Sequence, residues 1–482
     1  KRSNSGAIAS ICNDTDRPNP QFPAARGIVQ RFPWFLACAW ALFSLTNAHA
    51  LLPIEHWQEA SGAQVWLVQS HAIPMVDVQI EFDAGSRRDP PSKAGAAAAV
   101  ALMSSKGIAA SQKYKGDDSM DENALGEAWA DLGASLNIHA ERDALVFTMR
   151  SLTEAALLER AARLTARQMA QPSWPKDIWQ RERQRWIAAL KEEDTRVGSV
   201  AGKKFTQAVY SKHPYGYQPT EESLATISTS ILKSFHKRHI RACRARITIV
   251  GALTREAAHN LVSTLLEPLT HEGTAPCPAL PAIDDVPAQP LAIKWYIPFT
   301  SQQTHILIGQ LGFARNDPDY FALLVGNHIL GGGSFTSRLM HEVREQRGLS
   351  YSVGSYFAPG LHAGAFTVGL QTRPDQAQQA VQVTHQVIQR FIEEGPTEEE
   401  LRAAKDNLTG GFALRLDSNR KLLANVANIA RYGLPLDYLE HWSSRIEALT
   451  VAEVHAAIQR KLKPTRMITV VVGAENPFND RP

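Results

Sequence analysis

Arg344 and Tyr351 stand seven residues apart in the run Arg344-Glu-Gln-Arg-Gly-Leu-Ser-Tyr351. A fixed guanidinium and a phenol are both hydrogen-bond donors, and both bind more strongly as negative charge develops on an oxygen. Judged by residue type alone, the two also fit a solvated helix residue and a half-buried strand aromatic. Gly348, between them, suits the C′ position of a helix, where a positive φ is needed. From there Leu349, Tyr351, Val353 and Ser355 alternate as on a strand.

Other chemistry-bearing patterns are weaker. His236-x-x-His239 has the wrong helical spacing to face one metal, and His341-Glu342 lacks a histidine at position 345. Both are read as capping or solvated residues. Gly331-Gly332-Gly333 lacks the Lys-Ser/Thr of a phosphate-binding loop and is read as a hinge. The chain has four cysteines and no Cys-rich metal pattern. Cys277 falls in a Pro-rich stretch, so Cys243 and Cys277 are expected to be free thiols.

The elements that must position these residues come in two similar sets. Val76, Val78, Ile80 and Phe82 alternate into Gly85-Ser86-Arg87-Arg88-Asp89-Pro90 and an Ala-rich helix. Later, Ile306 to Leu311 runs into Phe313-Ala314-Arg315-Asn316-Asp317-Pro318 and a helix from Tyr320 to Leu330. Ile247 to Gly251 matches Ile468 to Gly473, and hydroxyl caps at Ser228 and Thr450 precede each. The two sets are 228 residues apart at Asp-Pro and 222 at the caps and terminal glycines. That period argues for duplication of one unit, not a solenoid with a repeat of about 20–50 residues. Helices are expected over 154–170, over 177–193 and from Thr397 to about Leu408, with capping boxes at Thr397/Glu400 and Thr450/Glu453.

The expected fold is α+β: two tandem α/β sandwich domains, each an antiparallel-rich sheet with helices on one face and the other face open. Six prolines between Glu267 and Pro290 favour an extended tether. The expected organisation is an extension plus signal peptide over 1–50, a first domain over 51–267, a linker over 268–290, a second domain over 291–476 and a tail over 477–482.

Arg26 and Arg31 precede an apolar run, Phe32 to Leu45, and then Ala48-His49-Ala50. That is the pattern of a secretory signal peptide cleaved after Ala50, and it implies a periplasmic protein; the rival readings are a membrane anchor that stays attached and a lipoprotein lipidated at Cys38. Removing residues 1–50 takes away five Lys/Arg and two Asp/Glu and leaves 46 of each sign. The mature chain therefore gives no reason to expect nucleic-acid binding or a stable membrane span.

Several spaced segments carry a resemblance. They are Val65 to Gly107, Tyr215-Gly216 through Glu222-Ser223-Leu224, Phe235 to His239 leading into Ile247–Gly251, Leu330 to Leu339, and Arg344 to Val353. Together they resemble the pitrilysin/insulinase-type metallopeptidases over residues 51–475. Active members carry H-x-x-E-H on the first helix, two histidines at i and i+4 on Zn²⁺ with the glutamate as base, and a distal glutamate. Aligned on Gly95 and Lys106-Gly107, those positions here are Ala98, Ala101 and Leu102, with Ala189 in place of the distal glutamate.

The resemblance thus implies a chain that binds no zinc and does not hydrolyse peptides alone. Family members carry the Arg and Tyr in the half facing the zinc site, where they hold substrate carbonyls and stabilise the oxyanion. Some bacterial members work as pairs of separately encoded chains. The resemblance implies that Arg344 and Tyr351 complete the zinc site of a partner subunit of the same family, acting on a peptide. The rival readings are a structural scaffold, a stand-alone peptide-binding protein, and a zinc enzyme with unusual ligands.

Overall fold

The computed structural model describes residues 53–110, 118–270, 277–288 and 291–478. The expected leader, part of the 268–290 linker and most of the 477–482 tail lie outside those residues. The described residues belong to one compact unit built on two sheets.

The first sheet contains β1 (Glu55–Gln58), β2 (Gln64–Gln69), β3 (Met75–Phe82), β4 (Ser135–Ala140), β5 (Leu145–Leu152) and β6 (Arg246–Gly251), in the order β1-β2-β6-β3-β5-β4. The second contains β7 (Ile293–Pro298), β8 (Thr304–Leu311), β9 (Val353–Phe357), β10 (Ala365–Thr372) and β11 (Ile468–Gly473), in the order β7-β11-β8-β10-β9. Pairings are antiparallel except β2 with β6 and β7 with β11. In each sheet the last strand of the half slots into the middle. Both inserted strands are near-continuous apolar runs, as burial on two faces requires.

The duplication is exact in spacing over much of each half. The helices Ala155–Ala170, Lys176–Glu193, Val197–Tyr210 and Thr229–His239, and β6, each have a counterpart starting 222 residues later. The counterparts are the helices Ala377–Glu394, Glu398–Gly410, Asn419–Tyr432 and Val451–Lys461, and β11. Side-chain caps at Ser228, Thr397 and Thr450 open three of these helices as the sequence suggests.

The α+β class holds, but the sheet faces expected to be open are covered. The helix Val197–Tyr210 of the first half packs on β8 and β11 of the second. The helix Asn419–Tyr432 of the second half packs on β3 and β6 of the first. The cause is apolar surface on both faces of the central strands. Ala201, Phe205 and Val209 cluster with Ile468, Val470 and Val472. Trp66, Val68 and Val250 join the core that contains Val426. Exposing such a face would forfeit about 25 cal/mol per Å² of apolar area.

The expectation of free thiols is corrected. Cys243 and Cys277 form a disulfide with their Cα atoms 5.9 Å apart, inside the range a bridge tolerates. The Pro-rich segment does not hang free. Arg88 Nη1 donates to the Pro281 carbonyl at 2.5 Å, Arg244 donates to the Pro278 carbonyl, and His213 Nε2 donates to the Asp284 carbonyl at 3.0 Å. Residues 51–482 are expected to titrate no free thiol before reduction and two after it; a reactive thiol in the unreduced protein would contradict the bridge.

Candidate functional site

The Ala-rich helix Ala96–Met103 starts where Asp89 accepts hydrogen bonds from the N–H groups of Gly95 and Ala97, both at 2.8 Å. Ala101 on it is buried, and Ala98 and Leu102 are half-buried. Ala189 is exposed on the helix Lys176–Glu193. None of these four side chains carries a metal donor, so the positions do not fit zinc. Neighbouring carboxylates are committed to cations: Glu182 to Lys106, Arg181 and Arg185, Glu192 to Arg196, and Glu193 to Lys203. Among the described residues no group of three or more His, Cys, Asp or Glu is placed to hold a metal.

His236 and His239, read from sequence as capping or solvated, are both buried. His236 Nε2 donates to the Met169 carbonyl at 2.8 Å, and its ring meets Trp174 edge-on at 5.5 Å. Burial pushes the pKa of each below the ordinary histidine value. The physical reason was visible in the spacing, because Leu232, Phe235, His236 and His239 lie on one helical face.

Arg344 and Tyr351 are brought together. Arg344 sits in a π-helical turn, Met340–Glu345, a form frequent at functional sites. The turn ends at Gly348, whose φ of +59° meets the expected requirement. Its N–H donates to the Arg344 carbonyl and that of Leu349 to the Val343 carbonyl, each at 2.9 Å. Val343 and Leu349 are buried and pin this corner to the core.

The strand expected from Leu349 starts at Val353 instead. Ser350 Oγ accepts from the Ser352 N–H at 3.2 Å and donates to the Ser352 carbonyl at 2.6 Å, a local turn that competes with strand pairing. That turn throws Tyr351 outward, 85% exposed.

The Arg344 Cζ lies 4.9 Å from the Tyr351 ring centroid and 4.8 Å from that of Phe335. Sequence reasoning missed Phe335, which is 61% exposed on the short turn Ser334–Thr336. An aromatic beside three glycines was the available signal. Among the described residues no carboxylate pairs with Arg344. The result is a half-buried cation flanked by two exposed rings, with its hydrogen-bonding capacity uncommitted to any acid.

Gly331-Gly332-Gly333, read from sequence as a hinge, are closely packed. A Cβ on Gly331 would meet Ser355 Oγ at 2.5 Å, one on Gly332 would meet Asn327 Nδ2 at 2.6 Å, and one on Gly333 would meet the His328 carbonyl at 2.7 Å. The helix expected to run to Leu330 changes at His328 into a π-turn over His328–Gly332.

Just beyond, Arg338 forms a two-pronged bond to Glu400 at 2.6 and 2.7 Å and donates to the Gly395 carbonyl. Burial pushes the Glu400 carboxyl up, but Arg338 and the Thr397 N–H outweigh it and hold its pKa below the ordinary value. A lowered folded-state pKa gives stability that is present above the unfolded value of about 4.3 and lost as pH falls through the folded one. Glu400→Gln is therefore expected to flatten the acid limb of thermal midpoint against pH below about pH 5. An unchanged acid limb would contradict the role given to this pair.

A sequence profile described as insulinase, peptidase family M16, matches residues 64–221. A second, described as the peptidase M16 inactive domain, matches residues 226–408. The chain belongs to the M16 peptidase family. An M16 inactive-domain structure from Pseudomonas fluorescens is 33% identical, with a TM-score of 0.81 over 88% of this chain and 100% of that one. The structure of a Helicobacter pylori protease shares the fold at 19% identity, with a TM-score of 0.78 over the same shares. A non-peptidase homolog, YmxG, of Helicobacter pylori is 23% identical over 411 residues, 83% of this chain and 90% of that protein. An uncharacterized zinc protease of Mycobacterium leprae is 29% identical over 285 residues, 57% of this chain. The match spans 61% of that mycobacterial relative. No helix among the described residues of this M16 chain is long and apolar enough to cross a membrane.

Proposed function

We propose that this chain is the zinc-free subunit of a two-chain M16-type peptidase, exported to the periplasm, which lends Arg344 and Tyr351 to a partner's active site. The observation that carries the reading is the pairing of two features. The zinc-helix positions are Ala98, Ala101 and Leu102, while Arg344 is held without an acidic partner between exposed Phe335 and Tyr351. A folded chain gains little stability from a cation and two aromatic rings left in water, so recognition is the better account of them.

In this reading residues 51–267 and 291–476 are two peptidase-like domains joined by 268–290. The partner subunit holds the metal and the base. Arg344 and the Tyr351 hydroxyl donate to the carbonyl oxygens of the bound peptide and to the oxygen that gains charge during cleavage. Phe335 and Tyr351 shield the guanidinium from water and so strengthen its bond. The names of two relatives, a non-peptidase homolog and an inactive domain, support the absence of independent peptidase activity.

Mass measurement on a size-exclusion column tests the pairing. Mixed with a zinc-bearing M16 chain encoded beside it, this protein is expected to elute as a one-to-one complex. Elution of two separate chains at micromolar concentration would contradict the proposal. A complex whose peptide cleavage does not depend on Arg344 would favour the scaffold.

A further inference from the structure

A second site lies in the other part of the C-terminal half. A cavity of about 320 Å³ opens between the helices Tyr320–Asn327 and Asn419–Tyr432 and the aromatic residues Phe412 and Trp442. That volume is within the roughly 300–1,000 Å³ typical of small-molecule sites.

Arginines and aromatic rings set its chemistry. The Arg315 Cζ lies 3.7 Å from the Tyr320 ring centroid, and its Nη2 donates to the Tyr438 hydroxyl at 2.8 Å. The guanidinium is thereby fixed in place before any ligand arrives. Arg415 also lines the cavity, its Cζ 5.5 Å from the Trp442 ring centroid. Among the described residues neither arginine has an acidic partner. Arg338 and Arg431, by contrast, are each paired, with Glu400 and Glu81. Phe412 and Trp442, stacked at 4.5 Å with 9° between their planes, add aromatic surface to the lining.

We propose that this cavity binds a small aromatic carboxylate, with the acid between Arg315 and Arg415 and the ring against the Phe412/Trp442 surface. Inorganic phosphate would satisfy the two cations and leave the aromatic surface without a partner. A neutral ring would cover that surface and leave both charges unpaired. An aromatic acid matches both, and planar carboxylates suit the guanidinium fork. The same group exists as a free small acid and as the C-terminus of a peptide ending in an aromatic residue. The assignment is independent of the role given to Arg344.

Calorimetric titration of the full chain tests it with phenylacetate, phenylacetamide, inorganic phosphate, and a peptide ending in phenylalanine with a free or an amidated C-terminus. At least one of the two acids is expected to bind with one-to-one stoichiometry, about tenfold or more tighter than its amide and than phosphate. Which acid binds identifies the source. Arg315→Gln and Arg415→Gln are each expected to weaken that acid by about tenfold. Arg415 is exposed, so its variant keeps the test available if Arg315→Gln fails to fold. Equal binding of acids and amides, no saturable binding of either acid, or affinity unaffected by Arg415→Gln would overturn the proposal.

Discussion

Arg431→Ala is expected to destabilise the protein by about 3–5 kcal/mol in urea denaturation, the usual effect of breaking a buried ion pair from one side. Arg431 sits on the helix Asn419–Tyr432, which crosses from the second half onto the first sheet. Its Nη2 meets Glu81 Oε1 on β3 at 2.7 Å, its Nε meets Glu81 Oε2 at 2.9 Å, and its Nη1 reaches Glu141. The side chains of Arg431 and Glu81 are 8% and 3% exposed. Burial works against the Arg431 charge, but the two glutamates outweigh it and hold its pKa above the ordinary arginine value.

Removing the guanidinium leaves Glu81 buried with Arg246 Nε, 3.8 Å away, as its remaining cation. That contact is too long for a hydrogen bond, but the nearby charge and the Gln79 Nε2 donor, 2.6 Å from Glu81 Oε1, remain, so the lower end of the range is expected. Arg431→Leu combined with Glu81→Leu should recover much of the loss, because no unpaired charge remains. A loss below about 1 kcal/mol for Arg431→Ala would mean that the crossing helix is held by apolar packing alone.

The second large effect is catalytic. In a mixture with the zinc-bearing partner, Arg344→Ala is expected to lower kcat for peptide cleavage by about 10²–10³, the usual loss when one oxyanion donor is removed. Tyr351→Phe, which deletes a neutral hydroxyl and keeps the ring, should cost about tenfold. Tyr351 is exposed and Arg344 half-buried with no acid partner, so both variants should keep the wild-type free energy of unfolding in urea within about 0.5 kcal/mol. Full activity in both variants, at unchanged stability, would remove these residues from the site.

Much of this arrangement could be read before any coordinates. The apolar runs of β6 and β11, the hydroxyl caps ahead of them and the 222-residue spacing exposed the duplication, because each is a local pattern. Gly348 and the Arg344–Tyr351 spacing located the corner for the same reason. The helix exchange was not legible. Ala201, Phe205 and Val209 mark an apolar helix face, but periodicity does not say which sheet the face will cover. The disulfide was hidden likewise, since Arg88, Arg244 and His213 hold the proline-rich segment through contacts that no local pattern marks. Phe335 was passed over because the glycines beside it drew a backbone explanation. Its meaning comes from the guanidinium that the chain folds back against it.

The most direct test of the central claim is peptide hydrolysis by the isolated chain, purified free of other peptidases and supplied with zinc. The account predicts no cleavage above background, with activity arising once the zinc-bearing partner is added. Cleavage by the isolated chain, in proportion to one tightly bound zinc per molecule, would contradict it.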